Sequence, residues 1–222
     1  MSLRNKIIIV SGALLVLGFF AGLTIFQNYF VRAVRVPTGA MANTIVPGDH
    51  LLVDRLFGEV KRGDIIVFSY PGEPSIRYVA RVVGLPGETI QTQGTSVYVN
   101  DQPIPEQRVF VKYPYDYDVG VLDEISTEGS GPYRVFYFKR DEEVMPTVSA
   151  DMKFGAAKPF LIPPAQYFVM GDNRDNSLDS RFKGTVPRDL IWGKPTFIYW
   201  SSHADQSHQD KVKWDRIGKE VK

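Results

Sequence analysis

The densest group of chemically capable side chains lies in Gly171–Arg181, GDNRDNSLDSR. Carboxylates, amides, hydroxyls and guanidinium groups crowd into one short segment. The alternation Asn173, Asp175, Ser177, Asp179 imitates a calcium loop, but the glycine at its sixth position and the glutamate at its twelfth are missing. A calcium site is therefore disfavoured. Two other stretches set polar groups among apolar ones: Val36–Arg55, VPTGAMANTIVPGDHLLVDR, and Tyr78–Gly87, YVARVVGLPG. The chain has no cysteine, which excludes disulfides, thiolate metal sites and a cysteine nucleophile. Its histidines, His50, His203 and His208, lack the paired spacing of a zinc site. His50 reads as a strand-face residue. Asp116 with Asp118, and Asp141-Glu142-Glu143, read as solvated loop charge. No metal or other cofactor is implied.

These groups need a scaffold, and the sequence supplies two kinds. Ile7–Phe26, IIIVSGALLVLGFFAGLTIF, is a run without a charge. Its length as a helix, about 30 Å, matches the hydrocarbon thickness of a bilayer. It exceeds the roughly 7–15 residues of a secretory h-region, and no small-x-small cleavage pattern follows closely, so it reads as an uncleaved anchor. Tyr29 and Phe30 stand where interfacial aromatics would. Arg4 and Lys6 precede the run and Arg32 and Arg35 follow it, so loop charge leaves the orientation nearly tied. Residues 1–48 hold four basic residues and no acid, whereas 49–222 hold 22 basic and 25 acidic, which makes the basic end the membrane end. The net charge of +1 argues against a nucleic-acid binder.

From Val34 onward the pattern becomes β. Strands are expected at His50–Asp54, Asp64–Phe68, Arg77–Gly84, Tyr133–Phe138, Tyr167–Gly171 and Leu190–Trp200, with Thr89–Thr92 paired to Ser96–Asn100. A hairpin turn is expected at Asn100-Asp101. Ser126–Pro132 and Tyr113–Asp118 read as loops, and only the anchor reads as helix. Trp192, Trp200 and Trp214 read as core or edge packing, with a place at a lipid surface as the alternative for one of them. Trp214 and Ile217 are expected to anchor a final strand. The expected architecture is a mainly β, membrane-anchored domain. Residues 1–33 form its tip and transmembrane helix, 34–105 and 161–222 its β core, and 106–160 an inserted β-rich elaboration.

Pro37-Thr-Gly-Ala-Met41 with Gly48-Asp49, then Tyr78–Gly87, then Gly171–Arg181, in that order behind an apolar run, resemble bacterial type I signal peptidases. The resemblance covers 7–105 and 160–200 well and 106–160 weakly. It implies a membrane-bound serine endopeptidase that removes signal peptides from exported preproteins by a serine–lysine dyad. It also implies a single-pass protein of the bacterial inner (plasma) membrane, its catalytic domain on the outer face, with signal peptides and the lipid bilayer as partners. Carried over by motif, the nucleophile position is Ala40 and the general-base position is Ala80, so both reactive side chains are absent. Thr38 and the Ala40 amide match the oxyanion hole. Ser177 matches the serine that orients the lysine, Asp179 and Arg181 a structural ion pair, and Arg81 the basic residue after the base. Val36, Met41, Ile45, Tyr78 and Val79 match the pocket walls. Asn43 departs from the proline usual there, which bears on local backbone geometry.

Only the two dyad side chains are truncated while their supports remain. That pattern reads as an engineered, disarmed form of an active parent. The alternative is a non-catalytic relative that binds signal peptides. A self-cleaving repressor-type β domain is disfavoured by the anchor and by the lack of a DNA-binding helical module.

Overall fold

Period-two burial builds the largest sheet. β1 (Val31–Arg35) pairs antiparallel with β2 (Asp49–Asp54), whose residues alternate buried and half-buried along DHLLVD. β3 (Ile65–Phe68) is buried throughout, and β4 (Tyr78–Gly84) is buried from Ala80 onward. Then follow β5 (Thr89–Gln93), β6 (Ser96–Val99), β7 (Gln102–Pro103), β8 (Gln107–Lys112), β9 (Glu124–Glu128), β10 (Arg134–Arg140), β11 (Glu143–Val144) and β12 (Phe160–Leu161). β13 (Gln166–Met170), β14 (Val186–Pro187) and β15 (Ile191–Ser201) complete the set. The computed structural model describes residues 5, 11–22, 31–112, 121–140, 143–144, 151–156, 158–202 and 211–222. The fold is mainly β, and the described strands form three sheets ordered β1-β2-β15-β3-β4-β13-β14, β11-β10-β8-β9 and β12-β5-β6-β7.

The first sheet is strongly curled. Laid flat, with strands about 4.8 Å apart, β1 and β4 would be separated by about 19 Å. Instead Arg35 at the end of β1 and Tyr78 at the start of β4 line one groove. β15 shifts register against both of its partners, the kind of irregularity that bends a strand. Gly193 lies in this strand. A Cβ there would fall 2.4 Å from the Asp54 carbonyl oxygen, so the close approach of β15 to β2 admits only hydrogen. The two faces of β3 and β4 feed separate cores. Ile66, Phe68, Ala80 and Val82 pack with Val169 and Ile191, while Ile65, Val67 and Val79 pack with Leu51, Val53 and Ile198.

Several expectations are altered by the structure. Ser126–Glu128 belongs to β9 rather than a loop; EISTE is an exposed edge strand, so no apolar alternation marks it. Ser180–Lys183 forms a short helix, α2, capped by the Asp179 carboxylate on the Arg181 amide. Trp214 is 74% exposed in a 3-10 turn and meets Trp200 edge-on at 6.3 Å, so it is neither core nor strand. Beyond it the tail still returns to the sheet, through a bridge between Phe197 and Glu220. The expected hairpin is present: Asn100 and Asp101 take φ of 50° and 62°, the positive values of a type I′ turn. Residues 11–22 form a helix, α1, every residue of which is exposed. Among the described residues no helix is long and apolar enough to cross a membrane. The ends of the apolar run, Tyr29, Phe30, Tyr113–Asp118, Asp141, Glu142, His203 and His208 lie outside the described residues.

The tail is fastened by a charge pair that the sequence pattern does not reveal. Asp49 is fully buried and accepts from Arg216 Nη2 at 2.7 Å and Nε at 2.9 Å, from Ser201 Oγ at 2.7 Å and from the Val46 amide at 2.9 Å. Removing the guanidinium leaves this carboxylate buried without its counter-charge. Arg216→Met is expected to destabilise the fold by about 3–5 kcal/mol, read as a lowered midpoint in thermal or urea unfolding.

Candidate active site

The loop between β1 and β2 is wedged between two cores. Ala42 N–H donates to Gly39 O at 3.0 Å and Ile45 N–H to Met41 O at 2.8 Å, which folds 39–46 into successive hydrogen-bonded turns. Met41 and Ile45 join Val36, Leu51 and Val53, while Ala42 and Val46 join Val109, Val111, Leu122 and Phe136. Asn43 adds two hydrogen bonds to the Leu122 backbone, at 2.6 and 3.0 Å. Polar recognition by the asparagine thus fastens the loop at the position where the family resemblance implies proline.

Opposite this loop, β4 has an open edge. β3 pairs with it along Tyr78–Arg81, but β13 reaches only Arg81, Val82 and Gly84. Tyr78, Val79 and Ala80 are therefore paired on one side only. A cavity of about 150 Å³ lies along that edge. Val36, Thr38, Ala40, Met41, Tyr78, Val79, Ala80, Ser177 and Asp179 all line it. Ile45 does not; it is fully buried behind Met41. Thr38 is exposed, Ala40 half-buried and Ala80 4% exposed.

The frame beneath the groove is built from Gly171–Arg181. Arg181 grips Asp179 through Nε and Nη2, both at 2.8 Å, and both side chains are buried. Asp179 also accepts from the Gly171 amide at 2.9 Å. The Asn173 amide donates to Ala40 O at 3.0 Å, and Asn173 Nδ2 to Gly39 O at 3.0 Å. Arg81 pairs with Asp172, Nε to Oδ1 at 2.8 Å and Nη2 to Oδ2 at 2.7 Å. Burial opposes the Arg81 charge, yet the Asp172 carboxylate outweighs it and raises the guanidinium further above its ordinary range.

The groove floor is aromatic. Phe68 stacks on Tyr78 at 5.9 Å, and Tyr70 meets each edge-on at 5.1 Å. Burial, reinforced by the Asp179 carboxylate, pushes the Tyr70 hydroxyl far above the ordinary tyrosine range. Phe68, Tyr70, Ile76, Arg77 and Leu178 line the groove but escaped the motif reading. Strand register could have found Phe68, which pairs directly with Tyr78. Ile76 and Leu178 are large exposed apolar groups on the groove's lips, and nothing in their local pattern marks them. Among the described residues no cluster of His, Cys, Asp or Glu is arranged to hold a metal.

Known proteins similar to this chain fall in one family. The profile of the family described as signal peptidase, peptidase S26, matches residues 6–200. The chain is 32% identical to signal peptidase I of Aquifex aeolicus over 79% of this chain and 78% of that one. It is 30% identical to signal peptidase I of Pseudomonas aeruginosa over 87% of this chain and 73% of that one. A solved signal peptidase I from Enterococcus faecalis aligns at 24% identity with a TM-score of 0.37, over 62% of this chain and 97% of that one, too loosely to carry weight.

The close packing of frame and loop gives a direct test. A Cβ at Gly171 would lie 2.2 Å from Ser177 Oγ and 2.5 Å from Ala40 O. Gly171→Ala must push these two groups apart, and is expected to cost about 1–3 kcal/mol in a urea-unfolding measurement.

Proposed function

The chain belongs to the signal peptidase family, peptidase S26, and from that membership we propose that it is the disarmed form of a membrane-bound serine endopeptidase that removes signal peptides from exported preproteins. The observation that carries this reading is the meeting of Ala40 and Ala80 in one apolar groove, with Thr38 and Ser177 on the same walls. A serine hydroxyl at the first position is a weak nucleophile until a base takes its proton. A lysine at the second would be that base. The packing around Ala80, with Phe68, Tyr70 and Tyr78, disfavours an ammonium and would lower its pKa toward neutrality. The Ala40 amide makes no hydrogen bond among the described residues, which leaves it available, with the Thr38 hydroxyl, to an oxyanion. Ser177 would orient the lysine.

A substrate would lie extended along the open edge of Tyr78–Ala80, adding a strand to β4. The small cavity walled by Val36, Met41 and Val79 favours small side chains just before the cut. Residues 1–33 serve as tip and single-pass anchor, 34–105 with 161–222 as the catalytic core, and 106–160 as an elaboration. The exposed apolar helix at 11–22, part of a longer uncharged run, supports the anchor. The catalytic domain then faces the outside of the bacterial inner (plasma) membrane. As it stands, with neither nucleophile nor base, the chain holds signal peptides without cutting them. The retained supports around two bare methyl groups favour engineered truncation of an active parent.

Ala40→Ser combined with Ala80→Lys is expected to restore cleavage of a signal-peptide substrate in detergent, and either change alone is not. A double variant that is folded by circular dichroism yet cleaves nothing overturns the proposal.

A further inference from the structure

Tyr78 is held from outside the groove by two residues that do not line it. Glu73 sits in the turn between β3 and β4, and Lys183 ends α2. The Tyr78 hydroxyl donates to Glu73 Oε2 at 2.5 Å and accepts from Lys183 Nζ at 3.2 Å. Lys183 Nζ also reaches both Glu73 oxygens, at 2.6 and 2.7 Å, closing a three-membered cluster. The same ammonium lies 5.3 Å and 5.1 Å from the ring centres of Tyr70 and Tyr78. Burial draws the Lys183 ammonium down, but its hydrogen bonds to Glu73 and Tyr78 outweigh that and raise it. The hydrogen bond from Lys183 likewise holds the Glu73 carboxyl below its usual range. Both groups therefore stay charged together near neutral pH.

The side chains of Lys183 and Glu73 are 20% and 36% exposed. A pair this close to solvent adds little to stability, so its effect lies in where it puts the ring. Tyr78 and Ala80 are two apart on β4 and share a face, which makes the Tyr78 ring the wall beside the general-base position. The second end of the cluster is rooted in α2, whose cap Asp179 is itself part of the groove lining.

We propose that Glu73 and Lys183 are positioning residues that clamp the Tyr78 ring and thereby set how strictly the groove demands a small side chain next to the cleaved bond. The inference rests on the signal-peptide reading of the groove. Neither residue touches the substrate; each acts through the tyrosine hydroxyl. Loss of either tether lets the ring rotate outward and widens the wall. A methylene in a pocket is commonly worth tenfold or more in discrimination, so a tethered ring is enough to separate alanine from valine.

The test uses the full chain in detergent and two peptides that carry alanine or valine immediately before the cleavage position. Binding is followed by fluorescence anisotropy, which needs no catalysis. Lys183→Met, Glu73→Gln and Tyr78→Phe are each expected to reduce the preference for alanine about tenfold, with the unfolding midpoint little changed. Lys183→Arg is expected to keep most of the preference. The ring ¹³Cζ signal of Tyr78, assigned by its loss in Tyr78→Phe, should shift in Lys183→Met whether or not peptide is present. An unchanged preference in Lys183→Met and Glu73→Gln, with peptide still bound, overturns the clamp and leaves the signal-peptide reading standing. Failure of the unmodified chain to bind either peptide overturns that reading, and the specificity role falls with it. An unmoved Tyr78 signal overturns the clamp by itself.

Discussion

Asp172 is the group on which the geometry of the groove depends. It is fully buried and carries a charge, and a buried charge is tolerable only when it is paired and hydrogen-bonded. Its two oxygens are taken by Arg81 from β4 and by the Thr44 hydroxyl, at 2.6 Å, from the loop that carries Ala40. Its carbonyl accepts from Phe136 in β10 at 2.7 Å, and its amide meets Met41 Sδ at 3.3 Å. One residue therefore ties the strand that carries Ala80, the loop that carries Ala40 and the second sheet. Arg81 Nη2 donates further to Lys222 O at 3.1 Å, and Arg216 Nη2 to Thr44 O at 3.0 Å, so the C-terminal segment braces the same junction twice.

Two other buried pairs extend this logic outward. Arg181 with Asp179 stiffens the frame under the groove, and Arg174 with Glu106 joins that frame to the segment leading into β8. Such pairs offset their own desolvation rather than adding much net stability. What they supply is direction, because a guanidinium fork and a carboxylate fit in few ways. Ala40 and Ala80 belong to none of these pairs. The struts therefore do not depend on the side chains at positions 40 and 80.

The strands were legible wherever burial alternates or runs unbroken, as in β2, β3 and β4, and the turn at Asn100-Asp101 was legible from its residue types. β9 was not, because an exposed edge strand has no apolar face to print a period on. α2 is too short to show a helical repeat. The motif reading named positions 40 and 80 and their neighbours, and the structure gathers all of the named groove residues but Ile45 along one cavity. It named Arg81 and Asp49 without their partners, which lie 91 and 167 residues away. Charge pairs of that span are chosen by the packed fold and leave no local spacing to read. The aromatic floor was half-visible, through Tyr78 alone, since Tyr70 stands in a Pro-Gly turn whose local pattern suggests a loop.

The short open edge of β4 has a consequence for what the groove can measure. A strand presents its N–H and C=O groups to a given side only at alternate residues, so Tyr78–Ala80 offers at most a few hydrogen bonds to an incoming chain. Each adds only about 0.5–1.5 kcal/mol net. Three residues span about 10 Å, so under the proposed reading backbone pairing would act as a ruler with very few graduations: it would set which peptide bond comes to rest beside the loop and say nothing about the polypeptide further away. An edge of that length is also a poor template for pairing with a second copy, since long, flat edges are the ones that aggregate. The groove can thus stand open without inviting its own sheet to grow.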